Sequence, residues 1–162
     1  MASQIATGLL TKQIFGLLQE TFEKVEGIYL DGGTSLAETL ATVSAQQASL
    51  PAVEGGSTIA AHVQHMRFYL TILNDYMDGK WQEKIDWKQS WLLKSVTESE
   101  WDTLRQGLRD DYESLKAHLQ GFADWNDERR IGGAIAIVAH TAFQLGAVRQ
   151  IALMVRGKSQ TG

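Results

Sequence analysis

The chain has 162 residues, 15 Lys plus Arg against 19 Asp plus Glu, and no cysteine. The missing thiols exclude disulfides, thiolate catalysis and Fe–S clusters, and a formal charge of -4 without a basic run argues against a nucleic-acid partner. A domain of this length buries roughly 70% of its unfolded surface and needs no covalent staple.

The pattern is helical throughout. Over residues 3 to 26, Ile5, Leu9, Leu10, Ile14, Leu17, Leu18, Phe22 and Val25 recur mostly at gaps of three and four, which predicts one amphipathic helix ended by Gly27. Asp31-Gly32-Gly33 predicts a turn. Thr34 or Ser35 then caps a short helix with Leu36, Leu40 and Val43 inward, and residues 46 to 56 read as loop. Ser57 or Thr58 caps a second long helix that runs to about Asp78, with Ile59, Val63, Met66, Leu70, Ile72, Leu73 and Met77 on its apolar side and Gly79 behind it.

Residues 80 to 96 carry Trp81, Trp87 and Trp91 among charges and predict an ordered crossover packed onto the helices. Thr97 and Glu100 have the spacing of a capping box. The third long helix follows to about Gly121, burying Trp101, Leu104, Leu108, Tyr112, Leu115 and Leu119. A polar link over 121 to 130 leads to a fourth long helix from Ile131 to Arg156, and 157 to 162 read as a disordered tail. Four long amphipathic helices plus a short one predict an all-α four-helix bundle in a single domain, residues 1 to 156.

The stretch 131 to 155 is long enough to span a bilayer. It holds His140, Gln144, Arg149 and Gln150, which are costly in hydrocarbon, so a bundle helix is expected instead and no membrane partner. The amino terminus lacks the features of a signal peptide, which with the missing cysteines makes the cytoplasm the expected location.

Chemistry is confined to the histidines. His62 and His65 lie three apart on the second long helix, and His140 precedes Gln144 by four on the last. Bundles build metal sites from facing helices, and neutral imidazole is the commonest ligand. The same spacing also suits partly buried, hydrogen-bonded histidines with no metal. His118, near a helix carboxyl end, reads as solvent-facing and favourable to the helix dipole. Asp110, Asp111 and Glu113 read as a solvated face, and Arg149 as a dimer contact. Gly146 costs the last helix about 1 kcal/mol relative to alanine, and a close helix approach is the expected compensation. No phosphate loop, nucleophile elbow or Ser-His-Asp order is present.

The segment STIAAHVQHMRFYL, 57 to 70, resembles the second helix of DinB-like proteins, in which a Ser or Thr precedes a ligand histidine by seven positions, as Thr58 precedes His65 here. The segment HTAFQLGAVRQ, 140 to 150, is similar to the family's last-helix motif, His-x-x-x-His followed by a small residue. The resemblance implies a bundle of up-down-down-up order, often dimeric, with a divalent ion, nickel or zinc, on three histidines. Its relatives include thiol-dependent transferases and a maleylpyruvate isomerase, and many have no assigned activity. Carried over, His65 and His140 are two ligands, and the third position is Gln144, whose neutral amide oxygen is a poorer donor for such ions. His62 is the candidate to compensate, and Tyr69 and Gln64 are candidate supporting groups.

Two readings follow. One is a DinB-like protein with a degenerate site of His65, His140, Gln144 and His62, acting as a metal-dependent hydrolase or thiol transferase. The other is a metal-free bundle that binds a small molecule or works as a dimeric interaction module. A homodimer is expected because the last helix is apolar around much of its circumference.

Overall fold

The computed structural model describes residues 6–80 and 82–159. Among them the chain is all-helical, with six α-helices and no strand: α1 (Thr7–Phe22), α2 (Leu36–Leu40), α3 (Ala45–Ala48), α4 (Ile59–Met77), α5 (Glu98–Gln120) and α6 (Glu128–Ser159). A 3-10 turn, Trp87–Trp91, interrupts the α4–α5 crossover. Trp81 and Ile5 lie outside the described residues.

α4 packs against both α5 and α6, and α1 packs against α6 and α2. All six inward residues expected of α5 are buried, as are Ile14, Leu18 and Phe22 of α1 and Ile59, Val63, Met66 and Leu70 of α4. These positions repeat at helical spacing and form one continuous core with α6 through Ile137, Leu145 and Val148. Trp101 is 1% exposed, and its indole Nε1–H donates to the Val43 carbonyl at 2.8 Å, which ties α5 to the chain after α2. Ser35, Ser44 and Thr97 each close a capping box with Glu38, Gln47 and Glu100, respectively.

Several expectations need correction. The first helix stops at Phe22 rather than at Gly27. The cause is Glu20, whose buried carboxylate accepts the backbone N–H groups of Gly27, Ile28, Tyr29 and Leu30 at 2.8–3.2 Å. Wrapping the chain around that charge is incompatible with another helical turn. Residues 46 to 56 are not all loop, because the Ser44–Gln47 box starts α3. The last helix begins three residues early and continues through Ser159, beyond the expected end; residues 160 to 162 lie outside the described part. Trp87 is 41% exposed, so the crossover does not hide it as expected.

His118 is not simply solvent-facing: its ring meets Asn74 Oδ1 and Asp78 Oδ1, each at 3.0 Å, and clamps α5 to the end of α4. Asp111 is not solvated either, since it accepts Arg67 Nε–H at 2.8 Å. Gly146 faces open space within the chain, so no close approach of a neighbouring helix compensates for it.

α6 is long and apolar enough to cross a membrane by length and composition alone. One side of it is packed into the core. On the other, Ile135, Phe143, Leu153 and Met154 are 50–73% exposed. At 100° per residue these four lie within about 100° of one another, an apolar stripe interrupted by the exposed Gln150.

Candidate functional site

The histidines meet where α4, α6 and the 3-10 turn converge. Thr58 Oγ1 accepts the Ala61 N–H at 3.1 Å and starts α4, which sets His62, His65 and Tyr69 on one side of the helix. α6 brings His140 and Gln144 one turn apart. The 3-10 turn brings Ser90 and Trp91.

Ser90 decides the tautomer of His65. Its hydroxyl donates its single proton to the Trp87 carbonyl at 2.7 Å. At 2.8 Å from His65 Nδ1 it therefore acts as acceptor, so Nδ1 carries the imidazole proton and Nε2 is a bare lone pair. Trp91 stacks on the same ring at 4.2 Å with 19° between planes. His65 is 7% exposed, and burial, reinforced by the neighbouring His140 and His62, pushes its pKa down to about 4. It is a neutral, fixed imidazole at pH 7.

His140 lies with its ring centre 5.2 Å from that of His65 and 4.1 Å from that of Tyr69. Burial lowers its pKa as well, and pushes that of the Tyr69 phenol up. His140 Nε2 is buried and has no hydrogen-bond partner. An unsatisfied buried polar atom costs on the order of 1–3 kcal/mol, so this nitrogen calls for a ligand.

His62 and Gln144 are engaged with each other. Gln144 is buried, and its Oε1 accepts from His62 Nδ1 at 2.7 Å. Trp91 meets the His62 ring edge-on at 5.1 Å. The four sequence-predicted residues are thus brought to one place, as two pairs rather than one converging set. Among the described residues no three His, Cys, Asp or Glu side chains gather around a common point. Gln64 is not at this cluster; it lines clefts beside Arg67 on another side of α4.

The donor set suits a transition-metal ion in part. His65 Nε2 and His140 Nε2 are neutral nitrogen donors without other partners, the type such ions take. Two imidazoles sharing one tetrahedral ion at about 2.1 Å place their ring centres about 5 Å apart, the spacing of this pair. Gln144 Oε1 keeps one lone pair after accepting from His62, so the amide is at best a weak third donor. Sequence reading missed Ser90. Its only signal is its position between Trp87 and Trp91, and nothing local shows that this turn folds back onto His65.

Comparison of the chain with protein-family models, with curated proteins and with solved structures finds no match.

Proposed function

We propose that this chain is a DinB-like four-helix bundle in which His65 and His140 hold one divalent transition ion, nickel or zinc, with Gln144 at the edge of the site. The observation that carries this reading is the pair of neighbouring imidazoles, one with its Nε2 left bare by Ser90 and the other with its Nε2 buried without a partner. An ion there supplies Lewis-acid chemistry, lowering the pKa of a bound water or thiol. That chemistry suits a hydrolase or thiol transferase. The chain's own part is to hold the two rings neutral, to cover them with Trp91 stacked on His65 and Tyr69 tilted against His140, and to keep His62 and Gln144 paired beside them.

Elemental analysis of untagged protein, alone and after incubation with nickel or zinc, tests the reading beside His140→Ala. One equivalent per chain, lost in the variant, is expected. The second reading, a metal-free cytoplasmic module for a small molecule, is favoured by the His62–Gln144 bond, which occupies the third family ligand. Absence of metal uptake at excess ion selects it.

The partner proposed for the open stripe of α6 is a second copy of this chain. Ile135, Phe143, Leu153 and Met154 are exposed on one side of α6, and clustered exposed apolar side chains of this kind favour an interaction surface. Gly146 lies on the same stripe with open space before it, which allows two copies of α6 to approach closely.

A further inference from the structure

A second concave site lies away from the histidines, between α1, α2 and α5. It is a cleft of about 670 Å³. Its apolar wall is Phe22, Leu36, Leu40 and Leu108, with Phe22 stacked on Tyr112 at 4.3 Å and 9°. Arg105 and Arg109 stand on its α5 side.

The hydrogen-bond inventory of this cleft is lopsided. Two of its three carboxylates are in use: Glu23 Oε1 takes both the Tyr112 hydroxyl at 2.7 Å and the Lys116 ammonium at 2.6 Å, and Asp102 takes Arg105 Nη2. Glu113 sits 3.9 Å from the same ammonium. Donors are left over. Arg105 Nε–H is buried with no partner, so its guanidinium is used from one nitrogen only. Arg109 lines the cleft without an ion pair or hydrogen bond to any described side chain. A guanidinium presents five N–H donors in a planar fork that matches a carboxylate. Apolar walls with surplus arginine donors fit a molecule that is apolar along its body and anionic at one end.

We propose that the α1–α2–α5 cleft binds a small amphipathic carboxylate, its apolar body against Leu36, Leu40 and Phe22 and its carboxylate on Arg109 and Arg105. The site is independent of the histidines and stands whether or not they hold a metal.

Calorimetric titration with octanoate, using octanol as the uncharged counterpart, tests it. Octanoate is expected to bind once per chain and octanol about tenfold or more weakly, the worth of a hydrogen-bonded charge. Arg109→Gln, at an exposed position, should weaken octanoate by a similar factor. Ala37→Trp, on the exposed rim of α2, should abolish binding by filling the cleft, with circular dichroism checking that both variants are folded. His140→Ala should leave it unchanged. No octanoate binding at millimolar concentration overturns the proposal. So does equal binding of octanol, or binding that survives Arg109→Gln and Ala37→Trp but is lost in Phe143→Ser, which would place the ligand on the α6 stripe.

Discussion

His65 Nδ1 and Ser90 Oγ lie 2.8 Å apart, and because the serine proton is already given to the Trp87 carbonyl, this contact leaves His65 Nε2 unprotonated. A residue in a crossover turn thus selects the donor atom of a helix histidine 25 positions earlier. Ser90→Ala removes the selection. Since partners of this kind are worth roughly 10- to 100-fold in metal affinity, the variant should bind nickel or zinc that much more weakly while keeping its fold. Competition against a chromophoric chelator measures it, and unchanged affinity would show that the Ser90 contact is structural only.

Gln144→His provides a third imidazole at the position where the resemblance places one. Tighter metal binding than in the parent chain is the expected outcome, with a further gain when His62→Ala removes the group that competes for residue 144. The same chelator titration reads both steps, and a Gln144→His chain that binds no better would disconnect residue 144 from the ion.

The neutral state of His65 makes stability depend on pH. Its folded pKa of about 4 lies below the unfolded value of 6.5, so the unfolded chain binds more protons between the two. The resulting stabilisation, on the order of 3 kcal/mol, is present above pH 6.5 and is lost as pH falls toward 4. Urea unfolding of metal-free protein across this range should show the slope, and His65→Gln should flatten it.

Glu20 acts in a lower window. Burial pushes its carboxyl up, but the N–H groups of Leu30, Ile28, Tyr29 and Gly27 together outweigh that and hold it below 4.5. Its contribution is therefore present above pH 4.5 and lost below it. Glu20→Gln cannot accept the same set of N–H groups with a charge. It should loosen residues 27–30 at neutral pH, seen as faster amide exchange there, while α5 stays protected.

Gly107 sets magnitudes against each other. A methyl group at that position would come 2.2 Å from Arg67 Cζ, where the guanidinium reaches Asp111. Gly107→Ala gains about 1 kcal/mol of helix propensity and loses much of a partly buried charged hydrogen bond worth about 1.5–3 kcal/mol. Net destabilisation of about 1 kcal/mol is expected by urea titration. In Asp111→Ala, where the pair is already gone, the same substitution should stabilise.

Phe143→Asp should leave the fold intact and shift gel-filtration elution to that of a monomer. A parent chain already monomeric at high concentration would remove the proposed dimer.

Much of the helical content was legible because apolar period and capping chemistry are local. The Thr97–Glu100 box, the Thr58 cap and the inward residues of α5 are written within a few positions of where they act. The sequence alone also singled out the histidines as the candidate site, because it contains no cysteine and no phosphate loop. Tertiary structure decided what depends on distance through space. It ended α1 early, because a buried Glu20 drew in the backbone of residues 27–30. It paired His62 with Gln144 and placed Ser90 on His65, contacts across 82 and 25 positions that no helical period encodes. It also left one side of α6 open, because a nearly uniform apolar helix does not mark in its own sequence which face its neighbours will cover.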